Sequence, residues 1–536
     1  MLYTVIFISG GAILALELLA SRIMTPYFGV SLYIWTGILS ITLVSLALGY
    51  WAGGKYSGTG RGQTPTISRL IRCFALMPAA AAIGIIAACL VYPYLFSHLA
   101  NWSVVLGAFA ACLILLFVPL VTASAMNPIL VAILLHGHNC NAGDAGAGKV
   151  FFVSTIGSVA GVLVTAFGMI PYISNYAATL VVALTLALLS LSVALGQPAP
   201  FRSRMAVGVM SIVTAITCGL LLWQADAYTG RKDPASYGGT VWHEEASQGS
   251  LFGTVKILKS ETDPASGRFL RIYFQDGLTQ NTVDSNGQSM SFFSYALEAL
   301  AYAYRPEMRS ALVLGLGAGV VPMRLAERGV NVHVVEIDPV SLRFSRQFFG
   351  FDPSRVHAHQ ADARTFLRSC PQRFDAVVVD LFQGDGMPDY LATREFFRDL
   401  KRHCLADDGV TVFNTFADVE RPAAYAHFLA TLKAELPNIV LYRPDWAGAV
   451  HVNSFVVAGA KPLAAPAKVT LDDVPRQHNA DLWEMLAHPV PVDSRLLAGG
   501  KIVTDAHNAA AYDSATAQLT YRRAAVNVLP RQFLLN

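Results

Sequence analysis

The chain is short of charge. Only 14% of its 536 residues are Asp, Glu, Lys or Arg, against roughly a quarter in soluble domains. The shortage is local. Residues 1–225 hold eight Lys or Arg and two Asp or Glu, whereas the remainder holds 31 basic and 34 acidic residues. A net charge of +3, with no basic stripe carrying interleaved aromatics, argues against nucleic acid as a partner. The seven cysteines are scattered, odd in number and contain no CxxC pair. That speaks against a zinc site or a disulfide framework. Most of them lie in apolar runs and read as small core residues, and no metal is expected. The first apolar run has no basic segment before it and is followed by others, so it does not read as a cleavable signal.

What the first 225 residues do have is long apolar runs. About 20 apolar residues cross a bilayer as a helix. Seven stretches qualify: 3–23, 31–53, 74–93, 103–124, 150–170, 177–195 and 206–223. The fourth belongs to a longer run, 103–137, which as one helix would measure roughly 50 Å. Pro128, in "AMNPIL", is expected to kink that run or turn its tail back. The small residues of "STIGSVAGVLVTAFG" suit close helix packing. Glu17 is the one acid inside a span and marks a functional position or a local pair with Arg22. Lys55, Arg61, Arg69 and Arg72 follow the second run, Lys149 precedes the fifth, and Arg202 and Arg204 precede the seventh. Basic residues mark the cytoplasmic side, so the pattern is consistent with the N-terminus inside. Seven crossings would then leave the rest of the chain outside. The part of the chain after the seventh run is nevertheless expected in the cytoplasm, and the two expectations conflict. The expected location is the bilayer of a bacterial inner membrane.

After a polar linker, 226–240, the pattern becomes that of a soluble protein. "LFGTVKILKS" and "RFLRIYFQDG" alternate as strands do and are joined by a turn-rich segment. They define a small β subdomain, 241–285. Then comes "ALVLGLGAGVVPMRLAERGVNVHVVEIDP", residues 311–339: a short apolar strand, three glycines, a helical stretch, a second strand and an acid. Gly315, Gly317 and Gly319 permit a tight turn and close approach of the backbone to a ligand. Glu336 follows Gly315 by 21 residues, where an acid at a strand end can accept hydrogen bonds from both hydroxyls of a ribose. "FDAVVVD" supplies another strand ending at Asp380. Open parallel sheets bind ligands at these strand ends. The fold expected is an N-terminal α-helical transmembrane bundle of about seven spans (1–225). It is followed by an α/β Rossmann-like nucleoside-binding domain (286–465) and a C-terminal extension (466–536).

Five segments in order, "FQDGLTQ", "LGLGAG", "VVEIDP", "ADAR" and "VVVDLFQGDGMPDYLATREFF", resemble the polyamine aminopropyltransferases, the spermidine synthase family. The resemblance covers about residues 244–460. The first half is similar to that of membrane-fused spermidine synthase-like proteins. The resemblance implies decarboxylated S-adenosylmethionine as donor, a small-molecule amine as acceptor, and a homodimer. It implies that Glu336 binds the ribose and that Asp362 and Ala363 meet the adenine. It implies that Gly315, Gly317 and Gly319 pass beneath the sulfonium-bearing tail, and that Asp276 and Gln280 line the donor pocket. Asp380 matches the family's catalytic acid. Two positions depart from the family pattern. Ala318 stands where the glycine loop usually carries an acid, and Gln383 stands where a second acid usually follows the catalytic one. Asp385 could partly replace it, which makes Gln383 and Asp385 the candidate acceptor contacts. Alternatives are an S-adenosylmethionine-dependent methyltransferase, which the neutral Ala318 favours, a nucleoside- or polyamine-sensing membrane protein without catalysis, and a transporter.

Overall fold

A computed structural model describes the chain except residues 31, 59–64, 138–145, 197–199, 383–385, 419–422, 445–450, 473 and 509. It divides into two compact units, Met1–Ala235 with Ala525–Asn536, and Ser236–Ala524.

In the first unit, seven helices are long and apolar enough to cross a membrane: Leu2–Phe28, Ile34–Ser57, Ile67–Trp102, Val105–His136, Ala147–Met169, Asn175–Gly196 and Phe201–Trp223. They are apolar on every side. Leu43, Trp51, Phe152, Val164 and Phe167 are all at least 60% exposed, a surface suited to hydrocarbon rather than water. The small residues act at the crossing of the first and fifth of these helices. A Cβ on Gly157 would lie 2.0 Å from the Phe7 carbonyl oxygen, and one on Gly161 would lie 2.2 Å from that of Gly11. The Ser158 hydroxyl donates to the Gly10 carbonyl at 2.9 Å. The chain does not turn back at Pro128. The helix Val118–Gly137 runs through it, and the irregularity lies upstream, in a π turn at Leu113–Phe117. A π turn inserts one extra residue into a helix turn. This one precedes Pro119, and the helix continues through Pro128. The last residues belong to this unit. Arg531 lies over the Tyr94 ring at 4.2 Å, and the Asn536 carbonyl accepts the Tyr176 N–H at 3.2 Å.

The second unit begins with a five-stranded sheet in sequential order: β1 (Ala235–Tyr237), β2 (Thr240–Ser250), β3 (Gly253–Ser260), β4 (Leu270–Gln275) and β5 (Leu278–Asp284). The pairings from β2 to β5 are antiparallel. The larger sheet contains β6 (Ser310–Leu314), β7 (Asn331–Glu336), β8 (His357–Gln360), β9 (Phe374–Val379), β10 (Leu405–Asp418), β11 (Asn438–Tyr442) and β12 (His451–Gly459). Its order is β11-β12-β10-β9-β6-β7-β8. β10, β9, β6, β7 and β8 run parallel, while β12 pairs antiparallel with both β10 and β11. The continuous apolar strands follow from burial on both faces. Ala311 and Val313 enter one core with Val334 and Val378. Leu312 and Leu314 enter the other with Val335, Val377 and Val379.

One expectation about the cysteines fails. Cys370 and Cys404 form a disulfide, with Cα atoms 5.6 Å apart. They are 34 residues apart and meet only because a helix end and the entry to β10 converge, so no sequence spacing announced them. Cys89, Cys112 and Cys218 are buried free thiols, in line with the core reading.

Candidate active site

The parallel strands all end on one edge of the large sheet, and the strand order sets out the site along it. Reading across, β12 and β10 bring Asn453 and Asn414, β9 brings Asp380, β6 opens into the glycine loop, β7 ends at Glu336, and Asp362 follows β8. The chain reverses direction on either side of β6, which is where doubly wound sheets hold their ligands. A cavity of about 470 Å³ lies there. Its walls include Gly315, Gly317, Ala318, Glu336, Asp362, Ala363, Asp380 and Gln280.

The glycines have separate tasks. Gly315 donates its N–H to Val335 at 2.9 Å, and Asp380 donates its own to Leu314 at 2.9 Å. A Cβ on Gly315 would lie 2.1 Å from the Asp380 carbonyl oxygen. Only glycine, here at φ 94°, lets the loop pass so close to the Asp380 backbone. Gly317 faces open space in the cavity wall. Gly319 is not in the wall. It caps the helix Val320–Glu327 and backs onto Phe351.

Glu336 is half-buried. Its carboxylate accepts the N–H of Leu316 at 3.1 Å and that of Asp338 at 2.8 Å. Burial pushes its pKa up to about 7, against the pull of those N–H groups. The Asp362 carboxylate accepts the N–H and hydroxyl of Thr365, at 2.8 and 2.9 Å. It thereby caps the short helix Ala363–Arg368 and still faces the cavity. Burial also raises Asp380, to about 6, while a hydrogen bond from Asn414 lowers it. Asn414 Nδ2 donates to Asp380 Oδ1 at 2.9 Å, and Asn453 Nδ2 donates to Asn414 Oδ1 at 3.0 Å. This chain of carboxamides fixes the rotamer of the acid from behind.

Asp276 stands apart. It does not line the cavity, and its backbone takes a left-handed φ of 47° at the β4–β5 turn. Its carboxylate accepts the Thr254 N–H at 2.8 Å, and its carbonyl accepts a hydrogen bond from Arg522. Gln383 and Asp385 lie outside the described residues. Sequence reasoning missed Asn414, Asn453 and three aromatic walls: Phe382, Phe416 and Tyr521. A polar residue closing the apolar run "VTVFN" was a usable signal for Asn414. Nothing local marked Asn453 or Tyr521. Asp505, next to the histidine His507, is ion-paired with Arg364.

Residues 291–438 match the family described as "Spermine/spermidine synthase domain". The chain is 35% identical over 150 residues to a polyamine aminopropyltransferase of Vibrio vulnificus, covering 27% of this chain and 49% of that protein. It is also 35% identical over 139 residues to an N-terminal histidine N-methyltransferase of Emericella nidulans, covering 25% and 24%. A solved probable spermidine synthase from Corynebacterium glutamicum aligns at 18% identity over 51% of this chain and 94% of its own, with a TM-score of 0.36. The chain spans about half the length of the first of these relatives. Over the matched segment it is similar to spermidine synthases.

Proposed function

We propose that the protein is a membrane-bound transferase that moves an aminopropyl group from decarboxylated S-adenosylmethionine to an amine. The observation that carries this reading is the half-buried Asp380 carboxylate, fixed by Asn414, in one cavity with the glycine loop and Glu336. Glu336 would hold the ribose hydroxyls, Asp362 and Ala363 would flank the adenine, Gly315 and Gly317 would pass beneath the tail, and Gln280 would face it. Asp276 would act indirectly, by fixing the turn before Gln280.

An amine acceptor arrives protonated at pH 7, since its pKa is about 10. Asp380 can orient that ammonium and accept its proton, and a carboxyl raised to about 6 is a stronger base than an exposed one. The freed nitrogen pair then attacks the carbon beside the sulfonium. A C–N bond forms as the C–S bond breaks, its electron pair goes to sulfur, and methylthioadenosine leaves. The proton passes from Asp380 to water. Holding both reactants in line would supply much of the rate.

One observation favours a second reading. Ala318 is buried and neutral in the cavity wall, so nothing at that position would repel the carboxylate of S-adenosylmethionine itself, the donor of a methyltransferase. Incubating the full chain with each donor and a panel of amines separates the two. Methylthioadenosine is the expected product, and S-adenosylhomocysteine alone would overturn the reading. Asp380→Asn is expected to abolish turnover, by roughly 100-fold or more, with nucleoside affinity retained.

A further inference from the structure

Asn414 and Asn453 stand on one face of the β10–β12 pair. The register sets Phe416 opposite Asn453 and Asn414 opposite Phe455. The two carboxamides are therefore diagonal neighbours across an antiparallel pair, within reach of each other. Both line the cavity, where β9 delivers Asp380. Their hydrogen bonds run one way. Asn453 Nδ2 donates to Asn414 Oδ1 at 3.0 Å, and Asn414 Nδ2 donates to Asp380 Oδ1 at 2.9 Å. A carboxamide has donors on one arm and an acceptor on the other, so Asn414 could meet Asp380 in either of two orientations. With its NH2 turned to the acid, it stabilises a carboxylate. With its oxygen turned there, it can accept only from a protonated carboxyl. Asn453 selects between them. Its NH2 occupies the Asn414 oxygen, and turning Asn414 over would set two NH2 groups against each other unless both amides turned together.

We propose that Asn453 is a positioning residue: it holds the NH2 of Asn414 toward Asp380 and so keeps that acid in the ionised form that can take a proton from the acceptor. Only the final step, use of the acid as a base, rests on the function proposed above. A hydrogen bond donated to the ionised form favours that form. The bond that Asn414 receives from Asn453 polarises it and strengthens the one it gives. Burial acts on the same carboxyl in the opposite direction. The other titratable side chains described in the cavity wall are Glu336, Asp338 and Asp362 and the phenols of Tyr273, Tyr390 and Tyr521. These, and Asp385 outside the described residues, are the same in every variant at position 453. A difference from the unaltered chain therefore reads Asn453.

The test uses the full chain in lipid nanodiscs, without donor or acceptor. An aryl diazoacetamide esterifies a carboxyl only in its protonated form: the proton passes to the diazo carbon, the carboxyl oxygen bonds to that carbon, and dinitrogen leaves. Labelling at Asp380, read by peptide mass spectrometry as pH is varied, gives the midpoint of its titration. Asn453→Leu should raise that midpoint by about one unit. Asn453→Asp keeps the shape of the side chain but only accepts when ionised, so it turns Asn414 over and should raise the midpoint further. In an Asn414→Leu background the first rise should vanish and the second should shrink to the part due to charge alone. An unchanged midpoint, or no labelling of Asp380, in Asn453→Asp overturns the inference. Rises that survive whole in the Asn414→Leu background also overturn it, because Asn453 would then not act through Asn414. Turnover is read separately. A midpoint that moves while the acid limb of the pH–rate profile stays removes Asp380 as the base and leaves the role of Asn453 standing. No turnover with any donor and amine removes the proposed function alone.

Discussion

At the scale of single residues, Glu336 connects protonation to binding. Its carboxyl has an ordinary value of 4.5 and is pushed up to about 7 by burial. The folded state therefore holds a proton that the unfolded state releases between those values. Over that window the folded state binds more protons, so the stability of the nucleoside-free protein falls as pH rises. The proposed ligand works in the other direction. Two backbone N–H groups already point at the carboxylate, and ribose hydroxyls donate best to its ionised form. Affinity for methylthioadenosine should therefore rise with pH up to about 7, by at most roughly ten-fold per unit, and level off above it. Calorimetry from pH 5.5 to 8.5 checks this, and Glu336→Gln should flatten the curve while lowering its upper plateau. A wild-type affinity that does not change with pH would remove Glu336 from the nucleoside site.

At the scale of elements, the legible parts were those whose signal is local. The crossover from Ala311 to Glu336 writes strand, glycine turn, helix and strand into fewer than 30 residues, and it forms as read. The apolar runs of the first half likewise become the seven long helices. What depended on distant pairing was not legible. Asn414 and Asn453 are close because β10 and β12 pair antiparallel, and Tyr521, more than 100 residues further along the chain, reaches Phe416. Cys370 and Cys404 meet for the same reason. The small-residue motif in the fifth long helix gives an element-scale test with its own control. Gly168 lies in the π turn Val164–Met169 that ends this helix and has nothing within 4 Å of a would-be Cβ, while alanine generally costs less conformational entropy than glycine in helical backbone. Gly168→Ala should thus be neutral or slightly stabilising. Gly157→Ala places a methyl against the Phe7 carbonyl, 2.0 Å away, and should cost on the order of 1–3 kcal/mol. Thermal melts of the two variants in detergent compare them directly, and equal melting temperatures would mean that the first and fifth helices do not pack as described.

At the scale of the whole molecule, the question is which side of the bilayer the α/β unit occupies. The loops with Lys55, Arg61, Arg69 and Arg72, with Lys149, and with Arg202 and Arg204 alternate with loops that lack basic residues. Each basic loop is a cytoplasmic one by charge. The last of them lies immediately before the seventh long helix, Phe201–Trp223, so the charge rule predicts that the chain after Trp223 lies on the opposite face. The Cys370–Cys404 disulfide agrees, because such bonds persist in oxidising compartments and are rare in the cytosol. Alkaline phosphatase fused after Asn536 should therefore be active and a fluorescent protein at the same place dark. Alkylation without reductant should leave Cys370 and Cys404 unlabelled. A fluorescent fusion together with free thiols would sink this topology and restore ordinary access to a cytosolic donor. The expected result keeps the reaction class, displacement at carbon beside a sulfonium by an amine. It also requires the adenosyl donor to be supplied on the non-cytoplasmic face, which an enzyme of ordinary cytosolic polyamine synthesis does not need.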